Sequence, residues 1–198
     1  MSLTPLPRTF FDRACLQVAE DLLGHVLVRR IGAITLLGTI VEVEAYAGRD
    51  DLGSHASRGR TKRTAIMFGP AGFAYVYLIY GMHHCLNVVA DREGEPAAVL
   101  IRALQPLDAL DGSTDGPGKL CRTLRIDRSL NGTDMAKSGA LYVAQETLLS
   151  GFHVASGPRV GIDYARAWAL KPWRLWVEGN PCVSRPNRRS PATPSADG

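Results

Sequence analysis

Apolar residues recur along this chain in several distinct registers, and the registers divide it into elements. Cys15, Val18, Ala19, Leu22 and Leu23 recur at helical spacing, with Asp12 in position to cap the helix and Gly24 to end it. His25 to Arg30 and Ala33 to Glu44 carry β-branched residues on either side of Ile31-Gly32, which predicts two strands joined by a short turn. Residues 47–72 keep no period, because Gly48, Gly53, Gly59 and Gly69-Pro70 interrupt them. A loop of that length in a compact domain is usually functional. Residues 73–79 and 83–90 are apolar and aromatic and break at Tyr80-Gly81, which predicts a β-hairpin with Tyr80 at its tip. Ala97 to Leu104 reads as a further strand, and Asp115-Gly116-Pro117-Gly118 opens a short helix through Leu124. Leu141 to Thr147 and Pro172 to Val177 supply late strands, and Asp163 to Leu170 a helical turn or two. Strands follow one another with few helices between them. The expected fold is α+β: a single domain with a curved, mainly antiparallel sheet, a protruding hairpin and helices packed around it.

Composition sets the boundaries. Of 198 residues, 45% are hydrophobic and 21% charged, a globular balance that excludes wholesale disorder. From Arg185 onward there are three prolines, three arginines and no large apolar residue, so the domain is expected over 1–184 and a disordered basic tail over 185–198. Twenty-three basic against nineteen acidic side chains give +4, a mild lean toward an anionic partner. Cys15, Cys85, Cys121 and Cys182 form no Cys-x-x-Cys and read as reduced, mostly buried thiols. The start does not resemble a secretory leader, and the longest apolar run, Phe73 to Tyr80, is too short to cross a bilayer. A cytoplasmic protein with no membrane partner is expected, nucleoid-associated if bacterial.

Two segments carry more chemistry than packing needs. In the strand Gly38 to Tyr46, alternation puts Val41, Val43 and Ala45 on one face and Glu42, Glu44 and Tyr46 on the other. That second face is either solvated or lines a site. In the hairpin, Tyr75 and Tyr77 point one way, while Tyr80 sits at a turn where an aromatic cannot fill a core; such a side chain suits insertion between stacked bases. Arg58, Arg60, Lys62 and Arg63 make the long loop basic, as a phosphate-binding or merely solvated run would be. His83-His84-Cys85 alternate across a strand and cannot close on one metal ion. Gly116-Pro117-Gly118-Lys119-Leu120 lacks the residues of a phosphate-binding loop, and no zinc-deaminase or Gly-x-Ser-x-Gly signature occurs. An enzyme built this way is expected to use a carboxylate, with no metal or other cofactor. Glu42 and Glu44 would stand about 6.5–7 Å apart, which touches the range of inverting sugar hydrolases. A sugar hydrolase, a catalytically silent binder of DNA and a DNA-acting enzyme all remain open on this pattern.

Taken together, the motifs resemble one family. Ile40-Val41-Glu42-Val43-Glu44-Ala45-Tyr46, Ser54-His55, Met67-Phe68, Tyr75 to Met82 and Asn87 are similar to the alkyladenine (3-methyladenine) DNA glycosylases. Leu100 to Leu107, Gly116 to Cys121, Arg159-Val160-Gly161 and Lys171-Pro172 continue the likeness in order, from about Phe10 to Ser184. It departs at His83-His84 and in the tail. The resemblance implies a monofunctional, monomeric enzyme that removes alkylated or deaminated purines from double-stranded DNA. It implies that Tyr80 fills the space left by a flipped nucleotide, and that the base lies between Tyr46 and His55 on one side and Tyr77 on the other. Glu44 would be the general base on a water held also by Arg102 and the Val160 carbonyl, and Asn87 would crowd the exocyclic amine of guanine. For the DNA backbone, Arg58, Arg60, Lys62 and Arg63 are candidates, together with the helix start at Gly118 and Lys119.

Overall fold

The computed structural model describes residues 3–108 and 110–185. A short helix α1 (Arg8–Phe11) precedes α2 (Cys15–Asp21). The predicted cap is corrected: Asp12 closes α1, and Ala14 stands before α2 without a side-chain bond. Burial of Phe11 makes the chain take a separate turn before α2, which moves Asp12 to the wrong end for capping it. Gly24, at φ 89°, turns the chain into β1 (His25–Ile31).

The spine of the fold is β2 (Ile34–Tyr46). Along one edge it carries β5 (Ala97–Pro106), from Gly38 to Tyr46. On the other edge β1 accompanies its first half as far as Thr39, and β8 (Arg174–Val177) takes over at Glu42–Glu44. With β3 (Ala74–Ile79), β4 (His83–Ala90) and β6 (Leu141–Thr147), the order is β3-β4-β5-β2-β1-β6, and β7 (Val154–Gly157) pairs with β8. Among the described residues every strand pairing is antiparallel, and the sheet does not close. The expected α+β class is the observed one.

The main core joins Phe11, Val18 and Leu22 to Val41, Val43, Ile101 and Leu104 of the sheet and to Leu120 of α3 (Pro117–Thr123). Residues 47–72 hold two 3-10 helices, His55–Arg58 and Ala65–Phe68. Their Ala56, Met67 and Phe68 pack on Tyr75, Val89 and Ala98 as a second small core, which fixes the loop against the sheet. Residues 38–45 of β2 are buried on both faces from Thr39 onward, so the solvated reading of the Glu42–Glu44 face is corrected. The segment 159–184 covers that face, through Val160, Arg174 and Ser184. The predicted tail, apart from Arg185, lies outside the described residues.

Candidate active site

Glu42 and Glu44 are both fully buried, and the chain supplies each with donors. The β2–β5 register is irregular here: Val41 is passed over on one strand and Arg102 on the other. At this irregularity Arg102 bridges the two acids, with Nε donating to Glu42 Oε1 at 3.0 Å and Nη1 at 3.2 Å from Glu44 Oε1. Burial opposes the Arg102 charge, but the carboxylates of Glu44 and Glu42 outweigh it and hold its pKa above the ordinary value. Glu42 also accepts from Arg174 Nε (2.6 Å), the Ser184 N–H (2.7 Å) and the Ser184 hydroxyl (2.9 Å). Glu44 accepts from the Tyr46 hydroxyl at 2.7 Å on Oε2 and from the Val160 N–H at 2.7 Å on Oε1. Burial first, and the Glu44 charge second, push the Tyr46 phenol well above its usual pKa, so it stays a donor. Two carboxylates and two guanidiniums therefore balance in one buried network, which is what makes burying them tolerable.

Glu44 lines a cleft that opens to the surface. Tyr46, His55, Tyr75, Tyr77, Asn87 and Val160 line it, as do Cys85, Leu100, Ile162 and Tyr164. His55 Nδ1 meets the Tyr75 hydroxyl at 2.9 Å, and the His55 and Tyr77 rings touch edge to face with centroids 4.6 Å apart. Tyr75 and Tyr77 are 5.2 Å apart, so these three rings make one wall. The sequence reading grouped His55 with Tyr46 and set Tyr77 opposite; the ring contacts group His55 with Tyr77. A planar ring stacked between two others needs them about 7 Å apart, and no such gap separates His55 from Tyr77. Burial, with the charges of Arg63 and Arg58, lowers the His55 pKa to about 4. Asn87 donates to the Tyr75 carbonyl at 3.1 Å, which ties the wall to β4. Burial pushes the Cys85 thiol up to about 11, so it stays protonated at neutral pH.

A family model described as Methylpurine-DNA glycosylase (MPG) matches residues 9–181. The chain belongs to the methylpurine-DNA glycosylase family. Relatives named "Putative 3-methyladenine DNA glycosylase" include those of Legionella pneumophila (strain Corby), 48% identical over 91% of this chain and 98% of theirs, and Myxococcus xanthus (strain DK1622), 49% identical over 94% and 98%. A third, from Anaeromyxobacter dehalogenans (strain 2CP-1 / ATCC BAA-258), is 51% identical over 91% of this chain and 86% of its own. As a DNA glycosylase the chain is a hydrolase of N-glycosyl bonds, which removes the sugar hydrolase and the silent binder from consideration.

Outside the cleft, the glycosylase presents Tyr80 at the tip of β3–β4, 77% exposed. Tyr80 and Gly81 both take positive φ, 52° and 69°, and the Met82 N–H closes the turn on the Ile79 carbonyl at 3.1 Å. Arg58, Arg60, Lys62 and Arg63 are all exposed on the loop, and Arg63 also leans on the cleft, 4.9 Å from the Tyr77 centroid and 3.3 Å from His55 Nε2. Lys119 pairs with Asp115 at 3.0 Å, an exposed contact worth little that a phosphate can displace. Gly118 lies against His83, since a Cβ there would stand 3.1 Å from that of His83; the departure at His83 thus packs the start of β4, next to the hairpin turn, on α3. Among the described residues, no three His, Cys, Asp or Glu side chains come together to hold an ion, and no helix is long and apolar enough to cross a membrane. Sequence reasoning missed Tyr75 and Cys85 as cleft residues and Arg174 and Ser184 as partners of Glu42. Alternation already set Tyr75 beside Tyr77 but not the fact that their shared face lines the cleft; nothing local pointed to Ser184.

Proposed function

We propose that this glycosylase is monofunctional and works as a monomer on double-stranded DNA in base excision repair. It flips an alkylated or deaminated purine (3-methyladenine, 7-methylguanine, hypoxanthine or ethenoadenine) out of the stack and hydrolyses its N-glycosidic bond. The sugar carbon cannot be reached inside a stacked duplex, so the nucleotide must leave it. The observation that carries the reading is Glu44: a fully buried carboxylate held by three donors at the floor of an aromatic cleft.

The base stacks between Tyr46 and the His55–Tyr77 wall. An N-alkylated purine is cationic, so it is attracted to ring faces and leaves the sugar readily. Glu44 then takes a proton from the attacking water and sets negative charge beside a sugar that develops positive charge. Arg102 and the Val160 backbone carbonyl hold that water, and Asn87 crowds the exocyclic amine of undamaged guanine. Tyr80 occupies the gap in the stack, and Arg58, Arg60, Lys62, Arg63, Lys119 and the Gly118 N–H hold phosphates.

Glu44→Gln keeps size and shape but removes the proton acceptor and the charge. Loss of a general base costs about 10²–10⁴-fold, so single-turnover base release should nearly vanish. Lesion-duplex affinity should stay within about tenfold, roughly 1.4 kcal/mol. An active Glu44→Gln overturns the carboxylate mechanism. Release should leave an intact abasic strand and persist in EDTA, and a protein–DNA adduct trapped by borohydride would contradict a monofunctional course.

A further inference from the structure

The side chains of Arg159 and Asp51 are fully buried, yet neither lines the cleft. Arg159 Nη1 donates to Asp51 Oδ2 at 2.5 Å and to the Ala45 carbonyl at 2.8 Å, and Nη2 donates to Asp51 Oδ1 at 2.8 Å. The guanidinium lies between two rings, 4.6 Å from the Tyr46 centroid and 5.0 Å from that of Trp173. Asp51 is fixed in turn by the N–H groups of Ala47 (3.2 Å) and Gly53 (2.9 Å). Position 53 admits no side chain at ordinary spacing, because a Cβ there would stand 3.0 Å from Arg159 Nη2 and 2.9 Å from the tip of Ile162. Arg159 is thus clamped to the loop that carries His55, and its chain neighbour Val160 donates to Glu44.

We infer that Arg159 and Asp51 are a positioning pair for base release: they aim the Val160 N–H at Glu44 and hold the Tyr46 ring whose hydroxyl binds the other oxygen of the same carboxylate. The inference rests on the reading of Glu44 as the general base. Facing Glu44 are Tyr46 from β2, Arg102 from β5, the Val160 N–H with the Arg159 charge behind it, and Tyr77 and Cys85 from the hairpin. Arg174 lies opposite Glu44 on β8, but its guanidinium is engaged by Glu42. Among the described residues three groups donate to Glu44, and of these only Val160 belongs to a segment outside the sheet, which Arg159 holds. A carboxylate deprived of a donor takes up a proton more readily.

The test uses the full chain and measures single-turnover release of hypoxanthine from a duplex across pH. Arg159→Lys keeps the charge but not the fork or the stacking plane. Gly53→Ala presses on the guanidinium with no change of charge. In both, the acid limb should move to higher pH by about half a unit or more, with duplex affinity within about twofold, roughly 0.4 kcal/mol. A purely structural role would lower the melting temperature and scale the rate equally at every pH. An acid limb that stays at the wild-type position overturns the inference, and if Arg159→Lys does not fold, Gly53→Ala decides alone. Glu44→Gln separates the two claims: if it is active, the reading of Glu44 fails; if it is inactive while the limb does not move, only the positioning pair fails.

Discussion

Glu42 and Glu44 sit two positions apart on one strand, equally buried, and differ in what holds them. Glu42 accepts four bonds from Arg102, Arg174 and Ser184, so it is a structural anion that joins three distant segments. Glu42→Gln leaves Arg174 without its counter-charge and Arg102 with only that of Glu44. Breaking one partner of a buried ion network costs about 3–5 kcal/mol, and in a chain of this size that is roughly 6–20 °C of melting temperature. The loss should appear in a thermal melt, while the folded fraction keeps more base release than Glu44→Gln; the opposite order would exchange the roles of the two acids. The sequence exposed this pair through alternation and could not show its burial, since the groups that cover it come from residues 160, 174 and 184. His55 supplies a pH test. Its folded pKa, about 4, lies below the unfolded value of about 6.5. Between those values the unfolded chain binds a proton that the folded chain refuses, so stability present above about pH 6.5 is lost as the pH falls toward 4. His25 is shifted in the same direction by burial, so the readout is a difference. The melting temperature of His55→Gln minus that of wild type should rise as the pH falls from 7 to about 4.5, and a constant difference would mean that His55 charges freely.

At the scale of elements, the β3–β4 hairpin tip is held in a conformation its residue resists. A tyrosine at φ 52° costs roughly 1–2 kcal/mol that a glycine would not incur. Tyr80→Gly should therefore melt at or above the wild-type temperature while binding a lesion duplex at least about tenfold more weakly, since unstacking costs a few kcal/mol. Wild-type binding by that variant would leave the tip without a role in DNA. The hairpin was legible because its pattern is local: apolar strands, a break at Tyr80-Gly81, and immediate pairing. Strand β7, with four residues and little apolar content to mark its limits, was not, and neither was α1. The loop 47–72 was legible as functional but not as packed, because Met67 and Phe68 reveal their purpose only against Tyr75 and Ala98. Arg159 stood in the sequence as part of a likeness, and only the fold gave it Asp51 as a partner 108 residues away.

For the whole molecule, a net charge of +4 is modest, so grip on DNA must come from where the charge stands. Arg58, Arg60 and Lys62 belong to one loop beside the cleft, while Arg63 is turned onto Tyr77. Replacing the first three by serine should lower the slope of log affinity against log salt by about 0.9 for each phosphate that the loop no longer neutralises. An unchanged slope would return the loop to an ordinary solvated run. The network around Glu42 ties the acids to segments made at different times during synthesis. Glu42 and Ser184 are bonded across 142 positions of chain. Synthesis delivers β2, the hairpin and β5 early, and these can pair as they emerge. The donors from Val160, Arg174 and Ser184 are translated after them. A ribosome-bound chain that ends at Ser150 would therefore carry the tyrosines and the basic loop but only Arg102 and Tyr46 to hold its acids. It could touch DNA before it could cut a glycosidic bond, and competence would arrive only with β8 and the Ser184 that follows it.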